Sequence, residues 1–481
     1  MLHTIFSMSE KNRFAYPFYI VAGTLGCLLA LSCVQNSFSL KNFTSRQVDL
    51  LADLRPKNTP GLLPGEDSAA TVAGTTTQPT SPADSTQAVD TTATAAAPRY
   101  NFETYTGIQD YGKTSTTPGD ISPGMAHFLQ ALHDLKAGKR RKVRIAYFGD
   151  SMIEGDLITE DLRDSLQNFF GGEGVGFVPV TSIVASFRTT ITHTFSKDWT
   201  DYHYKNLPAG NLPLGISGHT FLPSAGSWVK YSPVHKPHLD KFEEVNLIYG
   251  PGDGHSTLTA NEHTYPLSGN QTVNSLAIQP DTTGGLLMKF DNAGSQPLYG
   301  VSFESPEGVF VDNFSFRGIS GIELGRLSRD MLMHLQEERP YDLIVLQYGA
   351  NILWKPELTD YSWYQRPMTK VLDSLRADFP QTSFLVISTA DKSYRKEDKY
   401  VTAPGVTALL RVQHTMAEAH EAAFWNLYAN MGGNGSMTQW VESEHPLANK
   451  DYTHFNRQGA AKVGALLFKA LLNKYHEDEK P

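Results

Sequence analysis

Cysteine is almost missing from this 481-residue chain: there are two, Cys27 and Cys33. Both sit in one apolar run near the N-terminus, so the chain beyond Val34 has none. That excludes a disulfide framework, a cysteine nucleophile and a thiolate metal site from the rest of the chain. Positive charge is also short. Lys and Arg number 41 against 50 Asp and Glu, a formal net charge of -9, which argues against a nucleic-acid binder. The one basic cluster, Lys139-Arg140-Arg141-Lys142, is brief, precedes an apolar run and reads as a solvated helix end. The 16 histidines show no H-x-x-x-H or similar spacing, so no metal motif is read from them. No internal repeat and no coiled-coil heptad stands out.

Long apolar runs are limited to Phe14–Val34, "FAYPFYIVAGTLGCLLALSCV", which comes after Lys11 and Arg13. Its length suits a bilayer span, and the basic flank favours a cytoplasmic N-terminus with export of the chain beyond the run. Residues 1–36 are therefore expected to be a membrane anchor or an export signal, retained or cleaved. "TLGC" and "ALSC" both depart from a lipobox. Residues 37–99, and above all 57–98, are rich in Thr, Ala, Pro, Ser and Asp. Such a segment buries too little apolar surface to offset its ordering entropy and is expected to be a flexible linker.

Secondary-structure signals begin near Tyr100. "VRIAYFGD" reads as a buried strand, and "ITEDLRDSLQNFF" as a helix with Ile158, Leu162, Leu166 and Phe169 on one face and Thr159 able to cap it. Later come the strand "YDLIVLQYGA", a helix near "RPMTKVLDSLRADF", the strand "SFLVIST", a helix near "GVTALLRVQHTMAEAHEAA", the strand "AFWNLY" and a last helix, "RQGAAKVGALLFKALLNKY". This alternation predicts α/β architecture, a parallel central sheet with helices on both faces, and ligands bind such sheets at the strands' carboxyl ends. It is interrupted by turn-rich sequence with short strand-like segments, expected to be an inserted all-β sandwich. The expected division is 100–185 and 305–481 for the α/β domain and 186–304 for the insert.

Four short segments carry chemistry. Gly149-Asp150-Ser151 ends the first strand and presents a hydroxyl, a poor nucleophile until a base removes its proton. Asp451 and His454, three apart before the last helix, could supply that base and hold it. Gly321 comes after "DNFSFRGIS" and could bring a backbone N–H to a reacting carbonyl oxygen; Asn351, at the end of "LIVLQYGAN", could offer its amide. Each has a bland alternative: a turn aspartate with a surface histidine, a turn glycine, a turn asparagine.

Taken together and in this order, the four segments resemble the four sequence blocks of the SGNH (GDSL-type) hydrolases, over roughly residues 140 to 180 and 305 to 475. The resemblance implies a three-layer α/β/α fold and a serine ester hydrolase needing no cofactor. It makes Ser151 the nucleophile, His454 the base and Asp451 its orienter, with the Ser151 N–H, Gly321 and Asn351 as the oxyanion hole. One departure is Ile352, where the third block often carries an acid. "GDSMIEGDLIT", "FFGGEGVGFV" and "MGGNGSMTQWVESEHPLANKDYTH" are similar to segments of bacterial peptidoglycan O-acetylesterases, which also carry a carbohydrate-binding-like sandwich between their first and second blocks. That closer resemblance implies removal of O-acetyl groups from a cell-wall glycan through an acetyl-serine intermediate, on the periplasmic side of a bacterial envelope. An esterase or acetyltransferase acting on another polysaccharide, a lipase or thioesterase of the same fold, and a non-catalytic glycan-binding protein are the alternatives.

Overall fold

In the computed structural model, the described residues are 101–112, 124–208, 210, 212–252, 254–280, 285–291 and 295–479. The expected membrane segment, 1–36, and the linker, 37–99, lie outside them. Among the described residues no helix is long and apolar enough to cross a membrane.

A six-stranded sheet organises the chain. In chain order its strands and helices begin with β1 (Ile108–Asp110), α1 (Ala126–Lys136), β2 (Lys142–Gly149) and α2 (Thr159–Phe170). Ten antiparallel-paired strands come next: β3 (Gly176–Pro179), β4 (Thr192–Phe195), β5 (Thr200–His203), β6 (His219–Leu222), β7 (Trp228–Ser232), β8 (Glu244–Tyr249), β9 (Thr257–Ala260), β10 (His263–Pro266), β11 (Asn274–Ile278) and β12 (Leu286–Asp291), closed by β13 (Leu298–Glu304). The alternation then resumes with β14 (Gly308–Ser315), α3 (Arg329–Glu338), β15 (Leu343–Gln347), α4 (Ser362–Asp378) and β16 (Ser383–Ile387). The hairpin β17 (Ser393–Lys396) and β18 (Lys399–Thr402) precedes α5 (Gly405–Ala419), β19 (Ala423–Trp425), α6 (Leu427–Met431), α7 (Ser436–Glu442) and α8 (Arg457–Asp478).

The order in the main sheet is β1-β19-β16-β15-β2-β14. Pairing is parallel from β19 to β14, and β1 joins β19 antiparallel. Strand β2 is central, and successive side chains point to opposite faces. Ile145 and Tyr147 pack with Leu162 and Leu166 of α2 and Val463 and Leu467 of α8. Ala146 and Phe148 pack with Leu332 of α3, Met368 of α4 and Leu409 of α5. Near-continuous apolar runs such as Leu343–Gln347 result from burial on both faces.

The inserted strands form two antiparallel sheets, β10-β9-β12-β7-β4 and β11-β8-β13-β6-β5, with β3 paired to β13. The β region thus starts at Gly176, earlier than residue 186, because β3 is too short and glycine-flanked to read as a strand in isolation. Tyr231 and Tyr249, residues with aromatic faces suited to sugar, are buried inside the sandwich. One face of the second sheet is not sandwich interior: Ile248 and Tyr299, with Phe177 of β3, join Phe314 and Phe316 in the core of the α/β body. The two crossing points of the chain are bonded to each other, Ser305 N–H donating to Glu173 O at 2.8 Å and Val309 N–H to Gly171 O at 2.9 Å. The glycine-rich "GGEGVGF" serves this crossing. Gly174, at φ 105°, lies so close to β13 that a Cβ would stand 2.3 Å from Phe303 O.

Two local expectations change. Thr159 is the first residue inside α2 rather than its cap, and its hydroxyl donates to the Asp156 carboxylate at 2.6 Å. Lys142 is no solvated helix end: it begins β2 and pairs with buried Glu304 at 2.9 Å, because the insert returns over it.

Candidate active site

Strand β2 ends at Gly149 because the next turn leaves no room for a side chain: a Cβ there would stand 2.9 Å from the Ile153 side chain and 3.1 Å from Gln347 O. Asp150 turns inward, fully buried, and accepts the Met152 N–H at 2.9 Å. Ser151 turns outward, half-buried, at the carboxyl edge of the sheet.

His454 arrives from the other end of the chain. Its Nε2 lies 2.9 Å from Ser151 Oγ, and its Nδ1 lies 2.7 Å from Asp451 Oδ2. Asp451 Oδ1 accepts the backbone N–H groups of Thr453 and His454, each at 3.0 Å. Burial raises the Asp451 pKa, but the bonds from the His454 ring and these two N–H groups outweigh it and leave the carboxyl below its ordinary value. An ionised Asp451 accepts a proton-bearing Nδ1, which leaves Nε2 free to accept from Ser151. The loop is held at both ends: Asn449 N–H donates to His454 O at 2.8 Å, and Asn456 caps α8 by accepting from Gly459 N.

Asn351 comes from the turn after β15. Its Nδ2 donates to Asp150 Oδ2 at 3.1 Å and to Ile319 O at 3.0 Å, so both amide hydrogens are engaged. Ser151, Asn351, Asp451 and His454 line one cleft of about 700 Å³. Gly321 stands apart from that lining. It is buried in the left-handed region at φ 94°, heading the short helical turn Ile322–Arg326, and a Cβ would meet the Tyr348 ring at 2.7 Å. The segment after β14 reaches the cleft through Arg317, bound to Glu154, with exposed Gly318 next to it.

Sequence reasoning passed over three residues here. Burial pushes the Asp150 carboxyl up to about 6, against the opposing effect of the Met152 and Gly349 N–H groups, His454 and Asn351. Its place in the G-D-S turn was the available signal. Lys392, after β16, donates to Ala350 O at 3.2 Å. Burial lowers its ammonium pKa, while attraction to Asp451 and Asp150 opposes that. Tyr400 of the hairpin stacks on Tyr452, ring centroids 3.5 Å apart. Neither carries a motif, since both act through contacts between distant segments.

No family model and no curated protein matches this chain. Among solved structures it is similar to a peptidoglycan O-acetylesterase, with TM-score 0.64, 21% identity and coverage of 77% of this chain and 99% of the other. A family two carbohydrate esterase from Cellvibrio japonicus gives TM-score 0.25 at 9% identity, covering 60% of this chain and 98% of its own. A salicylyl-acyltransferase from a tetracycline biosynthetic pathway gives 0.28 at 14%, covering 62% and 97%. The last two superpose too loosely to carry an argument. Across about three quarters of its length, the chain has the fold of that peptidoglycan O-acetylesterase structure.

Proposed function

We propose that this protein is a serine ester hydrolase of the SGNH kind, with that superfamily's three-layer arrangement, and that it removes O-acetyl groups from a cell-wall glycan. The observation that carries the reading is the hydrogen-bonded chain Ser151–His454–Asp451 at the carboxyl edge of the sheet. Ser151 Oγ attacks the acetyl carbonyl carbon as its proton passes to His454 Nε2. The carbonyl electrons move to the oxygen, which the Ser151 N–H and the Asn351 amide stabilise, the latter by turning one hydrogen from its present acceptor. The Gly321 N–H, which the motif resemblance puts in the same role, lies outside the residues that line the cleft and is given no part in this step. As the tetrahedral species collapses, the bond to the sugar oxygen breaks and His454 returns the proton to it. Water, deprotonated by the same imidazole, then attacks the acetyl-serine and frees acetate and Ser151.

Acetylated glycan as substrate is supported by the described fold, which is that of a peptidoglycan O-acetylesterase, and by the cleft's size. Export or anchoring by residues 1–36 puts the enzyme on the periplasmic side of the envelope, where such a glycan lies. Acetate release from O-acetylated peptidoglycan, run beside acetylated xylan, tests the reading. Release from peptidoglycan in preference to xylan is expected, and release from neither removes it.

A further inference from the structure

Tyr231 and Tyr249 are buried in the sandwich, but the connection between β3 and β4 brings a different aromatic ring to the candidate active site. Phe187 lines the cleft together with Ser151, Asn351 and His454, and it is 45% exposed. Exposed apolar side chains are common on protein surfaces, so exposure alone signals nothing. This ring, however, is fixed in place. Its backbone N–H donates to Val184 O at 2.9 Å, and its carbonyl accepts from the Arg457 guanidinium. The same guanidinium lies over the ring, 4.5 Å from the centroid. The ring also rests on Gly155, four residues beyond Ser151. A Cβ on Gly155 would stand 2.4 Å from Phe187 Cδ1, and its φ of 69° suits glycine. Arg457 begins α8, three residues beyond His454. Phe187 is thus tied both to the turn that presents Ser151 and to the loop that presents His454. Ester cleavage as described uses none of these contacts. Leu157 and Val184 extend the apolar surface beside the ring. An aromatic ring held in a cleft is a rigid contact surface that a ligand can cover at little cost in ordering. A pyranose matches it, since the sugar's C–H groups form an apolar face while its hydroxyls stay in water.

We propose that Phe187 is a stacking platform for a pyranose ring and makes the cleft selective for sugar esters over simple alkyl esters. The inference deepens the glycan-esterase reading and rests on it for the ester. The stacking itself needs only a sugar ring in the cleft.

The test compares the parent full chain with Phe187→Leu, which keeps apolar bulk without an aromatic face, and Phe187→Tyr, which keeps the ring. Substrates are an O-acetylated muramyl disaccharide, an acetylated xylo-oligosaccharide and ethyl acetate. In Phe187→Leu the ratio of kcat/KM on the sugar esters to that on ethyl acetate should fall roughly three- to tenfold, the value of one aromatic contact, mainly through KM. Phe187→Tyr should restore the ratio. An unchanged ratio in Phe187→Leu would make Phe187 a plain wall of the cleft, and an equal fall in both variants would exclude the ring; either overturns the platform. Titration calorimetry with the unacetylated muramyl disaccharide and xylo-oligosaccharide reads the stacking without the ester. If the parent cleaves none of the three esters, the esterase reading falls and calorimetry decides the platform. Binding that weakens in Phe187→Leu and recovers in Phe187→Tyr supports it, whereas equal binding in all three proteins, or no binding, overturns it.

Discussion

Ser151 Oγ has one proton and one base able to take it, His454 Nε2 at 2.9 Å. Ser151→Ala should lower ester turnover by roughly a thousandfold or more with the fold unchanged, measured on a small activated acetyl ester. Near-normal turnover would remove the catalytic reading altogether. Asn351→Ala should cost roughly 3 kcal/mol in the transition state, about a hundredfold, mainly in kcat. A change confined to KM would mark Asn351 as the tie between Asp150 and Ile319 instead. Asp150 carries a pH prediction. Its pKa is about 6 when folded and 3.8 ordinarily, so folding favours the protonated form. Stability from this group is complete below 3.8 and is lost as pH rises through about 6. The full loss is roughly 3 kcal/mol. Asp150→Asn cannot ionise, so its stability relative to the parent should rise by roughly 2 kcal/mol from pH 4 to pH 8 in urea unfolding. A difference independent of pH would mean that Asp150 titrates ordinarily.

At the scale of elements, the loop bearing Asp451 and His454 is positioned by the β17–β18 hairpin. Tyr452 between them adopts φ 54°, unusual for a residue with a Cβ. Its carbonyl accepts the Ser393 N–H at 3.1 Å, and its ring lies 5° from parallel to that of Tyr400. Tyr400→Ala should therefore lower kcat by roughly two- to tenfold, the value of one aromatic pair, and Tyr400→Phe should restore it. Equal loss in both variants would point to the hydroxyl rather than the stack. The start of α2 depends on a different device. Asp156, fully buried, binds Arg163 at 2.8 Å, and Arg163 also donates to Val311 O in β14 at 2.7 Å. Burial alone would raise the Asp156 pKa, but the two guanidinium groups hold it well below the usual range. Asp156→Ala leaves Arg163 and Arg188 buried and uncompensated and should destabilise by about 3–5 kcal/mol in urea unfolding.

For the whole molecule, patterning alone would make the β insert a removable module whose loss spares small acetyl esters. The shared core argues otherwise. Phe177, Ile248 and Tyr299 of the inserted strands pack with Phe314 and Phe316, and buried Glu304 at the end of β13 receives Lys142, Arg144 and Arg339. Deleting residues 175 to 304 would open that core, leave Lys142 and Arg144 without a carboxylate while Arg339 keeps Asp312, and remove Val184 and Phe187 from the cleft wall. Loss of activity on small esters as well as on polymer is therefore expected, together with a single unfolding transition of the α/β body and insert in calorimetry. Retained small-ester turnover in the deletion variant would show the insert to be independent.

The alternation of apolar strands and amphipathic helices, the position of Ser151 at a strand end and the Asp451–His454 pair before the last helix were all legible in the sequence. Each is a local property: strand burial leaves an apolar run, and a three-residue separation within one tight loop limits where two side chains can point. The β region was legible as a type but not in its boundary, since β3 is defined by pairing with β13, more than a hundred residues away. Gly321 shows the same limit. Its need for a left-handed backbone is local, but its burial against the ring of Tyr348, a residue just after β15, is set by a distant segment. The burial of Asp150 and the buttress of Tyr400 on Tyr452 were decided by tertiary structure alone, because desolvation and stacking of this kind arise only when distant segments exclude water together.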